Sequence, residues 1–395
     1  MPNRYDRHWR SFPGHTRLKH AVLRAYLGAW ARILLSRGQH ETIWFVDGFA
    51  GRGRDDEGNP GSPLIACEIA NEVNADFASR ALRGRVRIVA VEWKRDNFAA
   101  LRENLHDSPC EPLLYHNTIN DQYRDILVMI GDAPALFFLD PWGVEDLSAE
   151  MIADMLSGER REVLVLFSEE GTHRLAGAVA AEPDEVDTAQ SSLFSDDAAA
   201  LTPRPPQSDY RDADEAILQD VFAGLWGLVQ DTAARNPGME RESYLESYMA
   251  IQQRLGARYV LPMSIVDEND HHHYSLVHAS KNGSAVVAMK EALNSAMNKR
   301  AQSIGPGFLE NFHFASPGLS RVCDQIAQRF AGKNVRWQEK PAKGTVRRYA
   351  LEETWALVPD LLDVKKILID RGYATSTKPL TFAFPESSSD RAALE

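Results

Sequence analysis

Three carboxylates, two glycines and two tryptophans carry the chemistry open to this sequence. Val46-Asp47-Gly48-Phe49-Ala50-Gly51-Arg52-Gly53 sets an acid and then a glycine pair directly behind an apolar run. Glycine at 51 and 53 lets the backbone turn tightly and approach a ligand with no Cβ in the way. Asp47 is placed to accept from an ammonium or to steady the turn, and Phe49 lies inside the same turn. Glu92 closes a second apolar run, Ile88-Val89-Ala90-Val91, and precedes Trp93. A carboxylate in that place can take both ribose hydroxyls, and the neighbouring ring can cover a base. Asn117 follows a third short run and suits either a base edge or an ordinary turn. Asp140-Pro141-Trp142-Gly143 ends a fourth run, Ala135-Leu136-Phe137-Phe138-Leu139. Any one of these fits a plain strand end; four in succession are hard to obtain by chance.

Spacing separates the nucleoside cofactors. A dinucleotide fingerprint has three glycines at once and its acid about twenty residues on. Here Arg54-Asp55-Asp56 follows Gly53, no third glycine comes, and Glu92 stands 39 residues past Gly53. The pattern fits S-adenosylmethionine better: an adenosine with a charged amino acid and a sulfonium, and no pyrophosphate. A nicotinamide-dependent oxidoreductase is disfavoured on the same ground.

These residues need strand ends in a row to hold them. Apolar runs at 43–46, within 85–93, at 112–117, 135–139 and 161–168 alternate with helical segments at 62–73, 95–105 and 147–158. That alternation predicts a parallel sheet covered on both faces, with ligands outside the carboxyl ends of its strands. Pro63 suits the first helical position, and Ser148 suits a helix cap. An amphipathic helix over 16–37, ended by Gly38, precedes the sheet. Residues 175–215 are acidic and rich in Pro, Ser and Ala, and read as an insertion or lid. Residues 215–229 and 244–257 are helical, 258–280 forms two strands about a polar turn on the sheet edge, and 281–300 is helical. Beyond about 309 the expectation is a small winged-helix-like module: a helix near 318–330, a basic hairpin near 334–350, helices to about 371, a last strand and a disordered tail. The organisation expected is a Rossmann-like domain over 1–308 and a C-terminal α+β module over 309–395.

Composition sets the outer bounds. The chain has 395 residues, 44% hydrophobic and 25% charged, which excludes fibrous and wholly disordered classes. Its net charge of −12 speaks against a general nucleic-acid glue. The charge is uneven, however. Residues 1–40 hold eight cations against one acid, residues 181–220 eleven acids against two cations, and residues 333–348 six cations against one acid. Two basic stretches therefore bracket an acidic body, and each suits either a polyanion or plain solvation. Three cysteines, Cys67, Cys110 and Cys323, with no CxxC argue against a disulfide framework or a zinc knuckle and point to a reducing cytoplasm. No apolar run reaches the eighteen or so residues of a membrane span.

With these residues in view, the sequence resembles the class I S-adenosylmethionine-dependent methyltransferases and, more narrowly, the three-Cys-motif partner (TcmP) family. The matching segments are Lys19-His20 with Leu23 and Tyr26-Leu27, VDGFAGRG at 46–53, Gly61-Ser62-Pro63, Glu92, FFLDPWG at 137–143, LVLFS at 164–168 with Arg174, VFAGLW at 221–226, and Tyr274-Ser275-Leu276. The resemblance implies a Rossmann-like methyltransferase sheet with an antiparallel edge hairpin, S-adenosylmethionine as cofactor, and a partner protein that carries the three-cysteine motif. Asp140-Pro141-Trp142 also resembles the box of methyltransferases that modify exocyclic amines. There an acid and a backbone carbonyl accept from the target NH2 while the aromatic stacks on the base; here Trp142 stands where that box has its second proline.

The expectation is a methyltransferase acting on the exocyclic amine of a nucleic-acid base. Asp140, Pro141 and Trp142 are its catalytic set, and Asp47, Phe49, Gly51, Gly53, Glu92, Trp93 and Asn117 hold the cofactor. Lys19, His20, Arg336, Lys343, Arg347 and Arg348 are candidate contacts to substrate or nucleic acid. The alternative is a non-catalytic nucleotide-binding subunit that engages a partner protein or nucleic acid. Cytosine-C5 chemistry needs a nucleophilic cysteine, and neither Cys67 nor Cys110 stands in a Pro-Cys pair. Asn269-Asp270-His271-His272-His273 splays on a turn and makes a poor metal grip. Ser168-Glu169-Glu170 with His173 reads as a loop after the fifth strand before it reads as an acid–base set.

Overall fold

A computed structural model describes residues 12, 14–180, 207–267, 272–303, 312–314, 318–337, 345–354, 356, 360–378 and 381–385. Helix α1 (Gly14–Ser36) enters ahead of β1 (Thr42–Asp47). Then α2 (Ser62–Ser79), β2 (Arg85–Val91), α3 (Arg95–Leu105), β3 (Leu113–Tyr115), α4 (Ile119–Ile130), β4 (Ala135–Leu139), α5 (Ala149–Leu156), β5 (Arg161–Phe167) and α6 (Glu169–Ala180) alternate. Three helices, α7 (Gln207–Val221), α8 (Trp226–Ala234) and α9 (Glu240–Arg254), lead into β6 (Tyr259–Asp267), β7 (His272–Ser280), α10 (Gly283–Ser303) and β8 (Phe312–Phe314).

The sheet order is β3-β2-β1-β4-β5-β7-β6-β8. The first five strands are parallel, and β7 runs antiparallel between β5 and β6. This is a Rossmann-like sheet that carries the expected antiparallel hairpin beside β5, with β8 rather than the hairpin as the edge strand. The pleat explains the two-sided core, because successive side chains point to opposite faces. Phe45, Ile88, Phe138 and Leu164 pack under α1, α2 and α10, while Val46, Val89, Phe137 and Val165 pack against α4 through α9. Strands buried on both faces read as unbroken apolar runs, which is why they were visible in the sequence.

Several expectations need correction. The acidic stretch does not begin at 175: α6 continues to Ala180, burying Leu175 and Val179, and α7 starts at Gln207. The remaining lid reading, over 181–206, lies outside the described residues. The helix expected over 215–229 is broken, since Ala223 and Gly224 take positive φ (52° and 74°) and the Gly224 amide returns to the Gln219 carbonyl at 2.6 Å. A left-handed residue closed by such a bond is a helix C-terminus. Ser148 precedes α5, but its hydroxyl goes to Asp220 at 3.3 Å instead of to the helix amides.

Beyond β8 come α11 (Gly318–Phe330), β9 (Asn334–Arg336), α12 (Val346–Glu353), α13 (Leu361–Asp370), β10 (Thr375–Lys378) and β11 (Thr381–Ala383). The small antiparallel sheet is ordered β10-β11-β9 over a separate core of Val322, Ile326, Leu351, Leu368 and Phe382, a winged-helix-like order. The basic hairpin placed near 334–350 is not what forms there. Residues 346–353 are helix because the Thr345 hydroxyl accepts from the Arg348 amide at 3.3 Å and Val346, Ala350 and Leu351 bury one face. The hairpin is β10–β11 instead. Lys290 of α10, buried, ties this core to the large one by donating to the Leu351 carbonyl at 2.7 Å and to that of Thr354. Among the described residues no helix is long and apolar enough to cross a membrane.

Candidate functional site

The chain reverses direction across the sheet between β1 and β4, and in open α/β sheets ligands bind at such a switch point, beyond the strands' carboxyl ends. Asp47 ends β1 there, and Asp140 follows β4. The turn after Asp47 is fastened from both sides: the Gly48 amide donates to the Phe138 carbonyl at 2.9 Å and the Ala50 amide to Val91 at 3.0 Å.

Asp47 is fully buried. One oxygen accepts from the Phe49 amide at 3.2 Å, and the Ser62 hydroxyl also bonds to the carboxylate. Its Oδ2 has no hydrogen-bond partner among the described residues. Burial raises its pKa to about 7; Ser62 and the Phe49 amide pull it down, neighbouring Asp140 pushes it up and Lys19 opposes that. A buried acceptor without a donor is costly. Close by, Tyr274 at the start of β7 buries a hydroxyl that also has no partner among the described residues, and its pKa is held well above normal by burial first and by Asp140 second. The His15 ring stands edge-on to it at 5.6 Å.

Lys19, expected only as a candidate contact or a basic surface face, is buried at 5% exposure and ion-paired with Asp140. It is brought in by α1, whose Leu18, Val22 and Leu23 seat it on the sheet. His20 is buried beside it, its ring edge-on to Phe12 at 5.0 Å. Asp140 is therefore paired rather than open. Pro141 is buried, and Trp142 projects at 59% exposure.

Glu92 is 6% exposed. It accepts from the Gly51 amide at 2.9 Å and from the Lys94 amide at 2.6 Å, and burial pushes its pKa up against these bonds. Glu92 thus joins the glycine turn to the end of β2. Trp93 is 55% exposed, with the Lys94 ammonium 5.3 Å from its ring. Asn117 lies after β3, where its side chain bonds to the Thr118 amide at 2.9 Å and to Gln122 at 3.3 Å, so it works as a turn residue there.

The two glycines differ. Gly51 has φ 61° and offers its amide to Glu92. Gly53 has φ 83°, and a Cβ on it would sit 2.6 Å from Leu64 Cδ1 and 3.2 Å from Leu101 Cδ1. It serves close packing against α2 and α3. Phe49 is half-buried against the α4–α9 side.

Sequence reasoning missed the roles of Asp55 and Ser62, and weighed Glu169 only as part of a loop or an acid–base set. Asp55 ties the loop by accepting from the Phe12 amide at 2.9 Å and the Asn59 amide at 2.7 Å. Ser168, Glu169 and Glu170 open α6 instead of forming a loop, and the Ser168 hydroxyl accepts from the Gly171 amide at 3.0 Å. Glu169 is 1% exposed and bonded to Ser275, and burial raises its pKa to about 8. The Gly61-Ser62-Pro63 and Tyr274-Ser275-Leu276 segments hinted at Ser62 and Ser275, and Ser168-Glu169-Glu170 at Glu169.

Of the basic candidates, Arg348 is paired with Glu352 at 2.6 Å, Arg336 is exposed on β9, Arg347 is half-buried on α12, and Lys343 lies outside the described residues. The Asn269–His271 turn lies outside them as well. Among the described residues no group of three His, Cys, Asp or Glu is placed to hold a metal.

No family model and no curated protein matches the chain. Solved structures resemble it at low identity. A Legionella pneumophila protein is 11% identical over 75% of this chain and 95% of its own, with a TM-score of 0.35. The plantazolicin methyltransferase BamL, solved with a triazolic desmethylPZN analog and SAH, is 8% identical over 78% of this chain and 91% of its own, TM-score 0.31. Pyrococcus horikoshii TYW2, solved with MeSAdo, is 14% identical over 64% and 62%, TM-score 0.27.

Proposed function

We propose that this chain is an S-adenosylmethionine-dependent methyltransferase with its cofactor at the rim between Asp47 and Glu92. The observation that carries the reading is Asp47, a wholly buried carboxylate at the switch point with one oxygen lacking a donor. The ammonium of the cofactor's amino acid is the donor it lacks, and would hold the carboxylate ionised. Glu92 fits the ribose: each carboxylate oxygen has two lone pairs, so its two backbone amides leave capacity for hydroxyls. Trp93, exposed beside it, offers a ring for the adenine. When bound, the cofactor supplies an electrophilic methyl on its sulfonium. The chain's own task is positioning and exclusion of water.

The acceptor we propose is an exocyclic amine of a nucleic-acid base. Trp142 presents an exposed ring for stacking, and Asp140 accepts from the amine as Lys19 gives way or shares it. The family we propose is TcmP, with a three-Cys-motif protein as partner, on the residues that carry that resemblance. One observation favours a second reading, a nucleotide-binding subunit without catalysis: the Lys19–Asp140 pair already occupies the group meant to orient the acceptor.

Isothermal titration with S-adenosylmethionine should show binding by the intact protein, abolished in Asp47→Asn and Glu92→Gln variants that keep their circular dichroism. No binding by the intact protein sinks both readings. Binding without labelled-methyl transfer into RNA, DNA or the partner protein selects the second.

A further inference from the structure

Cys67 and Cys110 are far apart in the sequence, yet the fold brings them together. Cys67 is buried on α2, and Cys110 is half-buried in the turn between α3 and β3. Both are free thiols, and their Sγ atoms lie 2.6 Å apart. The Ser108 hydroxyl sits 3.4 Å from Cys110 Sγ. Hydrogen bonding with Cys67 holds the Cys110 thiol below its usual range and, through the same contact, raises Cys67. The half-buried Cys110 sulfur is the one a dissolved disulfide can reach, and the buried Cys67 sulfur lies behind it, the arrangement of an attacking cysteine beside a resolving one. Cys323 differs: it is 0% exposed in the separate C-terminal core, its thiol donating to the Val364 carbonyl at 3.7 Å.

We propose that Cys67 and Cys110 form a reversible intramolecular disulfide on exposure to a low-molecular-weight disulfide such as oxidised glutathione. The Cys110 thiolate attacks one glutathione sulfur, forming a mixed disulfide and releasing one glutathione thiol. The Cys67 sulfur, on losing its proton, attacks the Cys110 sulfur and expels the second. Two protein thiols are oxidised and one glutathione disulfide is reduced to two thiols, which take up the two protons. The crosslink joins α2, which carries Ser62 to Asp47, to the segment entering β3.

The test is alkylation of the full chain with iodoacetamide under denaturing, non-reducing conditions after incubation with oxidised glutathione. The expected product is a monomer two hydrogens lighter before alkylation, with Cys323 alone alkylated and a Cys67–Cys110 linked peptide in the digest. Dithiothreitol returns all three cysteines to alkylation. Cys110→Ser, at the half-buried position, keeps the core and removes the link. Alkylation of all three cysteines after oxidation, a glutathione adduct that never resolves, or a link from either cysteine to Cys323 overturns the proposal.

Discussion

Helix α1 covers two buried polar clusters that are built on opposite logic. Toward its carboxyl end, Tyr26 and Trp30 donate to Glu162, the Trp30 bond being 3.2 Å, and His278 meets the same carboxylate at 2.8 Å. Both oxygens of Glu162 are engaged; His278 Nδ1 alone lacks a partner among the described residues. Toward its amino end the same helix delivers Lys19 to Asp140, yet Asp47 Oδ2 and the Tyr274 hydroxyl have none. A network whose carboxylate is engaged at both oxygens fixes α1 on the sheet. An unsatisfied one at the carboxyl rim carries a cost the fold leaves standing, which is what a site awaiting a cation would do.

That contrast breaks most cleanly at Glu162. Glu162→Ala should lower unfolding free energy by roughly 3–5 kcal/mol, because Tyr26, Trp30 and His278 lose their common partner inside the core. Denaturant titration measures it, and a loss under about 1 kcal/mol would mean the network is not a stabilising hub.

Asp47→Asn should move stability the other way while removing cofactor binding. Folded Asp47 titrates near pH 7 against about 3.9 unfolded, so between those values the native protein holds a proton that the unfolded chain has lost. Wild-type stability therefore falls as pH rises through this window and levels off above it. The variant lacks that slope, gaining up to roughly 4 kcal/mol at pH 8 and nothing below about pH 4. Parallel pH profiles of the two proteins would remove the basis for treating Asp47 as a destabilised carboxylate.

Gly53→Ala sharpens the distinction within the glycine turn. A methyl 2.6 Å from Leu64 Cδ1, on a residue at φ 83°, should cost roughly 1–3 kcal/mol in thermal or denaturant melts. An unchanged melting curve would mean the turn relaxes freely.

Strands β1, β2, β4 and β5 were legible because two-sided burial writes them as apolar runs, and α11 was legible to its ends because one face is strongly apolar; α4 buries Ile119, Tyr123, Ile126 and Ile130 on one face and was not expected. Asp47 and Glu92 were legible as well, since a polar residue closing an apolar run stands out. The α12 segment was not: Val346-Arg347-Arg348-Tyr349 suits a strand until the Thr345 cap and its buried neighbours decide for helix. The true weight of Lys19 was hidden for the same reason, because charge on a helix reads as solvated until something covers it.

Sequence alone determined the five parallel strands, the acids at their ends and the glycine turn, because these depend on neighbours along the chain; the helices Ile119–Ile130, Glu169–Ala180 and Val346–Glu353 were not among the helices expected. Tertiary structure alone decided that Lys19 meets Asp140, that Asp47 keeps a bare oxygen, that Gly53 packs while Gly51 donates, and that Cys67 faces Cys110. Each of those depends on segments tens of residues apart meeting in a dry interior, where partners and charge take their value from burial.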